Sequence, residues 1–163
     1  MSRIPGVVIG LVRSLDDPEG LGRVQVAFPW LGEGAPEGNW ARIAAPLAGP
    51  GRGQQFMPEV DDEVLVAFEH GEIRMPYILG YLWNGVDRPP RDDPQKRAIQ
   101  TVSGHVLEFD DTTGSEKITL LFKGGTPSVT LRQDAVEIKF DGGNYVKISA
   151  AGVEVKGAQI QLN

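Results

Sequence analysis

The residues of this chain that could do chemistry are few. His70 and His105 are its only histidines, and it has no cysteine. Without thiols there is no disulfide and no thiolate metal site. His70 precedes Gly71 in a tight turn, and His105 follows Gly104. Their spacing gives no ligand set, and both are expected to hydrogen-bond within turns. Asp110-Asp111 is an adjacent aspartate pair that invites a carboxylate-dyad reading. Neighbouring residues of a strand point to opposite faces, so the two carboxylates cannot share a proton as a catalytic dyad. An Asx-type turn with Thr112 is expected instead. Asp61-Asp62-Glu63 is a second acidic cluster, with spacing unlike an EF-hand loop. It reads as a solvated turn. Gly49-Pro50-Gly51-Arg52-Gly53 lacks the Gly-Lys-Ser/Thr ending of a phosphate loop and reads as a flexible loop. No serine has a histidine and an acid arranged around it. The expectation is therefore no catalytic residue, no metal site, no cofactor and no small-molecule substrate.

Trp30, Trp40 and Trp83 could offer a stacking platform for sugars or bases, as some OB folds do. The balance of 16 Lys and Arg against 22 Asp and Glu, net −6, opposes phosphate binding. Nucleic acid is accordingly not an expected partner, and barrel packing is the expected role of the tryptophans. The apolar run Val7-Val8-Ile9-Gly10-Leu11-Val12 ends at Arg13. It is too short for a membrane span and has no cleavage site, so it reads as a strand in a protein made in the cytoplasm without a signal peptide.

The elements that would carry these residues are strands. Glycine (21) and proline (12) are plentiful and 40% of residues are hydrophobic, which fits short strands joined by turns. The chain changes character near residue 90. All three tryptophans lie before it and every lysine after it. Asp87-Arg88-Pro89-Pro90-Arg91-Asp92-Asp93-Pro94 is charged and proline-rich, the composition of a semi-rigid linker. The expected division is a barrel domain over 1–88, a linker over 89–98 and a second domain over 99–163.

In the first region strands are expected at Pro5–Leu15, Gly22–Phe28, Ala41–Ala44, Glu63–Glu69 and Pro76–Trp83, a count that fits a small Greek-key barrel of the OB type. In the second, apolar residues recur at period two: Val129/Leu131, Val136/Ile138, Val146/Ile148, Val153/Val155 and Ile160/Leu162. Turns separate them every seven to nine residues, the mark of stacked rungs. Such short strands bury one thin row each and leave edges exposed. Three chains winding together, with these ten residues on a shared axis, would cover both. A monomeric β-sandwich could use the same alternation, and the pattern alone does not separate the two.

Three ordered segments carry a resemblance. The first is Gly22-Arg23-Val24-Gln25-Val26-Ala27-Phe28-Pro29-Trp30. The second runs from Trp40-Ala41-Arg42 through Pro46-Leu47-Ala48-Gly49 and Pro58–Gly71 to Pro76-Tyr77-Ile78-Leu79-Gly80 and Asn84-Gly85. The third is Ile99–His105 with Glu108-Phe109-Asp110-Asp111-Thr112 and Gly114-Ser115-Glu116-Lys117-Ile118. In this order they resemble the VgrG, phage baseplate protein V and tail-spike family of contractile injection systems. The resemblance implies an all-β chain, an OB barrel followed by a short triple-stranded β-helix, assembled as a homotrimer. It implies a non-enzymatic central spike that joins a baseplate hub to a tip and meets the target membrane only while piercing it. A PAAR-like tip protein would sit at the C-terminal end, on Gln161, Leu162 and Asn163. The large hub that precedes the barrel in VgrG proteins is expected here as a separate chain. The lysozyme insertion of some spikes and their paired tip histidines have no counterpart. Where the family often has glycine this chain has Asp61, a residue that tolerates left-handed backbone. A different class of reading is a monomeric OB module for oligosaccharide or single-stranded nucleic acid.

Overall fold

The structure, a computed structural model, describes residues 3–32 and 38–161. It is all-β apart from two single-turn 3-10 segments, and it divides into two compact units, Met1–Arg88 and Pro89–Asn163.

The first unit contains β1 (Val7–Ser14), β2 (Val24–Ala27), β3 (Asn39–Ile43), β4 (Ala48–Gly49), β5 (Arg52–Gly53), β6 (Glu63–Phe68) and β7 (Pro76–Tyr81). Five of these close into a barrel in the order β1-β2-β3-β7-β6. β1 is long enough to pair with β2 through Leu11 and Val12 and with β6 from Val7 to Leu11. The circuit closes where β3 runs parallel to β7, with Arg42 beside Tyr77 and Ile43 beside Ile78. Alternation decides which side chains face inward. Val12, Val24, Val26, Phe28, Ala41, Val64, Val66, Phe68 and Ile78 form one buried core. Gly10 sits on that inner face, where a Cβ would stand 2.4 Å from Val26 Cγ1. That close approach explains a glycine inside an otherwise Val/Ile/Leu strand.

The turns follow their side-chain chemistry. Asp17 holds the β1–β2 connection: its carboxylate accepts from the backbone N–H of Glu19 (3.2 Å), Leu21 (2.9 Å) and Arg23 (3.1 Å) and from the Arg23 guanidinium (2.7 Å). Asp61 adopts φ 73° before β6, so aspartate fills the left-handed position that glycine would otherwise take. The glycine-rich loop expected to be flexible instead contains the two-residue ladder β4–β5.

The second unit contains β8 (Lys96–Gln100), β9 (Val106–Asp110), β10 (Lys117–Leu121), β11 (Ser128–Arg132), β12 (Ala135–Lys139), β13 (Tyr145–Ser149) and β14 (Gly152–Lys156). They form one antiparallel meander in sequence order. Three expectations are corrected here. The stretch 89–98 is not wholly linker, because β8 begins at Lys96. Each strand pairs with its sequence neighbours, so copies are not needed to cover the inner strand edges; among the described residues of this meander only β8 and β14 have a free edge. Ile160 does not belong to a strand. Beyond β14 the Ala158 N–H donates to Asn144 Oδ1 (3.3 Å), which holds the segment against the β12–β13 turn instead of starting another rung. Leu162 and Asn163 lie outside the described residues.

Candidate functional site

Register sorts the meander into two unlike faces. One carries two unbroken apolar ladders. Phe109, Ile118, Leu131, Val136, Ile148 and Val153 stand beside one another from β9 to β14. Leu107, Leu120, Val129, Ile138, Val146 and Val155 do the same, and Ile99 extends that row onto β8. Five-residue strands of strict alternation produce this, because a step of two residues keeps each apolar side chain on one side. Little within the chain covers the face. Ile148 is 50% exposed, Ile138 54% and Val153 67%. A contiguous apolar surface of this extent marks an interaction site.

The opposite face is polar and internally neutralised. Glu137 is only 8% exposed and sits among Lys139 (2.8 Å), Arg132 (3.4 Å) and Lys147 (3.9 Å). The Lys139 ammonium foremost, with the charges of Arg132 and Lys147, holds its carboxyl below the usual range. Asp110, 5% exposed, lies between Lys117 (3.4 Å) and Lys96 (3.9 Å). Its Oδ1 also accepts from the Thr112 hydroxyl (2.6 Å) and backbone N–H (3.1 Å), and these bonds chiefly lower its pKa. Asp111 points elsewhere, to Arg97. The pair is a turn and an ion cluster, as strand geometry requires, with no shared proton.

Eight of the ten expected axial residues therefore fall on one face: Val129, Leu131, Val136, Ile138, Val146, Ile148, Val153 and Val155. Ile160 lies off it, and Leu162 is outside the described residues. The reading from sequence left out Ile99, Leu107, Phe109, Ile118 and Leu120, which complete the ladders. Of the candidate tip contacts, Gln161 is exposed and past the last strand, and the other two are outside the described residues.

The remaining candidates disperse. His105 packs edge-on against Phe122 (4.6 Å), and its Nδ1 accepts from the Lys123 N–H (3.3 Å). His70 occupies a 3-10 turn at φ 50°. Trp30 stands 5.9 Å from Phe28, Trp40 lies under the Arg23 guanidinium at 6.0 Å, and Trp83 is exposed beyond β7. These three environments differ, and the contacts do not build a common platform. Among the described residues no group of three His, Asp or Glu side chains could hold a metal ion. No helix among them is long and apolar enough to cross a membrane.

Comparison with known proteins agrees with the barrel and extends past it. Residues 8–83 match the Type VI secretion system/phage-baseplate injector OB domain. The Type VI secretion system spike protein VgrG2a of Pseudomonas aeruginosa is 29% identical over 121 residues, 68% of this chain and 14% of that protein. The spike protein VgrG3 of Vibrio cholerae is 31% identical over 113 residues, 63% of this chain and 11% of that protein. The actin cross-linking toxin VgrG1 of Vibrio cholerae is 30% identical over 110 residues, 61% and 10% respectively. The chain thus spans about a seventh or less of these relatives' lengths, but the likeness covers more of it than the barrel alone. With a closed barrel that matches the injector OB domain over residues 8–83, and likeness to the VgrG2a spike protein over 68% of its length, this chain resembles the VgrG and phage-baseplate spike family.

Proposed function

We propose that this chain is the central spike of a contractile injection system baseplate, a homotrimer whose three meanders enclose a common dry axis. The two apolar ladders carry the reading. Thirteen Val, Ile, Leu and Phe side chains share one face. Burying the exposed half of each is worth roughly 1 kcal/mol. Two chains could cover each other's faces as a sandwich, so the number three comes from the family and not from the area. In this proposal the β-helix expected from the resemblance takes the form of a three-sided prism with one meander to each side.

The spike's work is mechanical. Seven strands spaced ~4.8 Å apart make a needle of ~29 Å. A needle that short must be stiff and must be joined to other parts. A baseplate hub would hold the barrel end, and a PAAR-like tip protein would cover the C-terminal end. Contact with the target membrane occurs only as sheath contraction drives the spike through it. Synthesis in the cytoplasm followed by assembly into the particle fits this role. The side chains described above supply charge neutralisation and turn geometry, and none is assigned a reaction. The barrel half has seven arginines and no lysine against twelve Asp and Glu, a balance that disfavours the single-stranded nucleic acid alternative.

Tagged chain recovered from cells that make a complete contractile particle tests this directly. The expected result is co-sedimentation with sheath and tube proteins at three copies per particle. Recovery only as free protein, in cells whose particles are intact and lack it, would refute the role.

A further inference from the structure

The two lateral edges of the meander differ in chemistry. One edge consists of the connections 101–105, 122–127 and 140–144, which join β8 to β9, β10 to β11 and β12 to β13. It is aromatic and basic. Phe122 and Phe140 project there, Phe140 being 67% exposed, and Phe122 is braced by His105. Lys123 and Lys156 make no ion pair among the described residues. Asp141, the acid of this edge, is satisfied locally by the N–H groups of Gly143 and Asn144, both at 2.7 Å. The other edge consists of connections 111–116, 133–134 and 150–151. Its cations Lys96, Lys117 and Arg132 are engaged by Asp110 and Glu137, and Asp111 by Arg97. Glu116 and Asp134 are exposed and, among the described residues, have no ion-pair partner.

Rotational symmetry makes these differences consequential. Three identical sheets around a three-fold axis, apolar faces inward, must meet by unlike edges, because a cyclic trimer has heterologous interfaces. We infer that the trimer proposed above closes by seating the aromatic, basic edge of each copy against the acidic edge of the next. The partner is a second copy of this chain, and charge complementarity selects it. Lys123 meets Glu116 and Asp134 of the neighbour, while Phe122 and Phe140 close the corner over the ends of the apolar ladders.

The turns also fit in height. Those of one edge join β8/β9, β10/β11 and β12/β13, and those of the other join β9/β10, β11/β12 and β13/β14. The two sets are therefore offset by one strand, ~4.8 Å. Copies related by rotation stand level. The connection 122–127 of one copy then faces the gap between 111–116 and 133–134 of the next, and the turns interleave.

This inference rests on the trimeric reading, and cysteine cross-linking separates the two. The chain has no native cysteine. Lys123→Cys with Asp134→Cys in one chain, treated with a short bis-maleimide, should give covalent dimers and trimers on a denaturing gel. Each single variant should give none. Within one chain the two sites lie on opposite edges, a strand length of ~17 Å apart. Lys123→Cys with Glu116→Cys provides a second pair on the same contact. Solution mass before cross-linking is measured on every variant. A trimeric mass with no intermolecular product from either pair, or dimers from Lys123→Cys alone, overturns the edge assignment and leaves the trimer standing. A monomeric wild-type mass overturns both.

Discussion

Replacing Ile148 with aspartate perturbs the apolar face at its middle. Ile148 lies between Val136 and Val153 in one ladder and is 50% exposed in the single chain. In the proposed trimer the exposed half becomes buried, a gain of roughly 1 kcal/mol per copy. Ile148→Asp forfeits that gain and brings three carboxylates to one dry axis. Each costs several kcal/mol to desolvate without a partner. The sum is on the order of 10 kcal/mol or more per trimer, a loss of about seven decades in association. At micromolar concentration the variant should be monomeric. Because the position is half open in one chain, the meander itself loses less. All three tryptophans lie in the barrel half, so their emission reports independently that the barrel stays folded. Sedimentation or light-scattering mass gives the result, with Thr119→Lys on the polar face, opposite Glu108, as the tolerated control. An Ile148→Asp protein that remains a trimer of wild-type thermal stability would show that this face does not line the axis.

Two further perturbations address the barrel. The Arg23 guanidinium foremost, aided by three backbone N–H groups, holds the Asp17 carboxyl well below the usual carboxylate range. A depressed folded pKa contributes stability above the unfolded value of about 3.9 and loses it as pH falls through the folded value. The melting temperature of Asp17→Asn should therefore trail wild type at neutral pH, and the gap should narrow below about pH 4. A gap that stays constant into strong acid would contradict the assignment. At Asp61, φ 73° predicts that Asp61→Gly changes barrel stability by less than ~0.5 kcal/mol while Asp61→Val costs about 1–2 kcal/mol. The Arg13 pair lost in both is exposed and worth little. Equal denaturation midpoints for the two variants would mean that the turn does not impose left-handed backbone.

How much of this was legible in the sequence depends on how each segment spends its side chains. β1, β2, β6 and β7 alternate cleanly because one face packs a core, so their positions could be read directly. Asp110 and Asp61 could be read as turns from the behaviour of aspartate alone. β8 could not: Lys96-Arg97-Ala98-Ile99-Gln100 places one aliphatic residue, Ile99, on the apolar face, and its Arg97 stands opposite Phe109. β9 is obscured by Glu108, which serves the polar face and pairs with Arg91. The ladder β4–β5 has no apolar pattern, since both strands are exposed. At the other end, Ile160 continues the period of two but not the fold, because Asn144 captures the backbone after Gly157. Periodicity reports which side chains could share a face. It does not report whether the chain reverses to bring them there, and the difference between self-pairing and pairing with copies was invisible for the same reason.

The claim that the apolar face of this meander is an oligomer interface is tested most directly by native mass of the purified chain at micromolar concentration. The account predicts a single species of three times 17.6 kDa. A stable, folded species of 17.6 kDa with its Val and Ile ladders in water would contradict it.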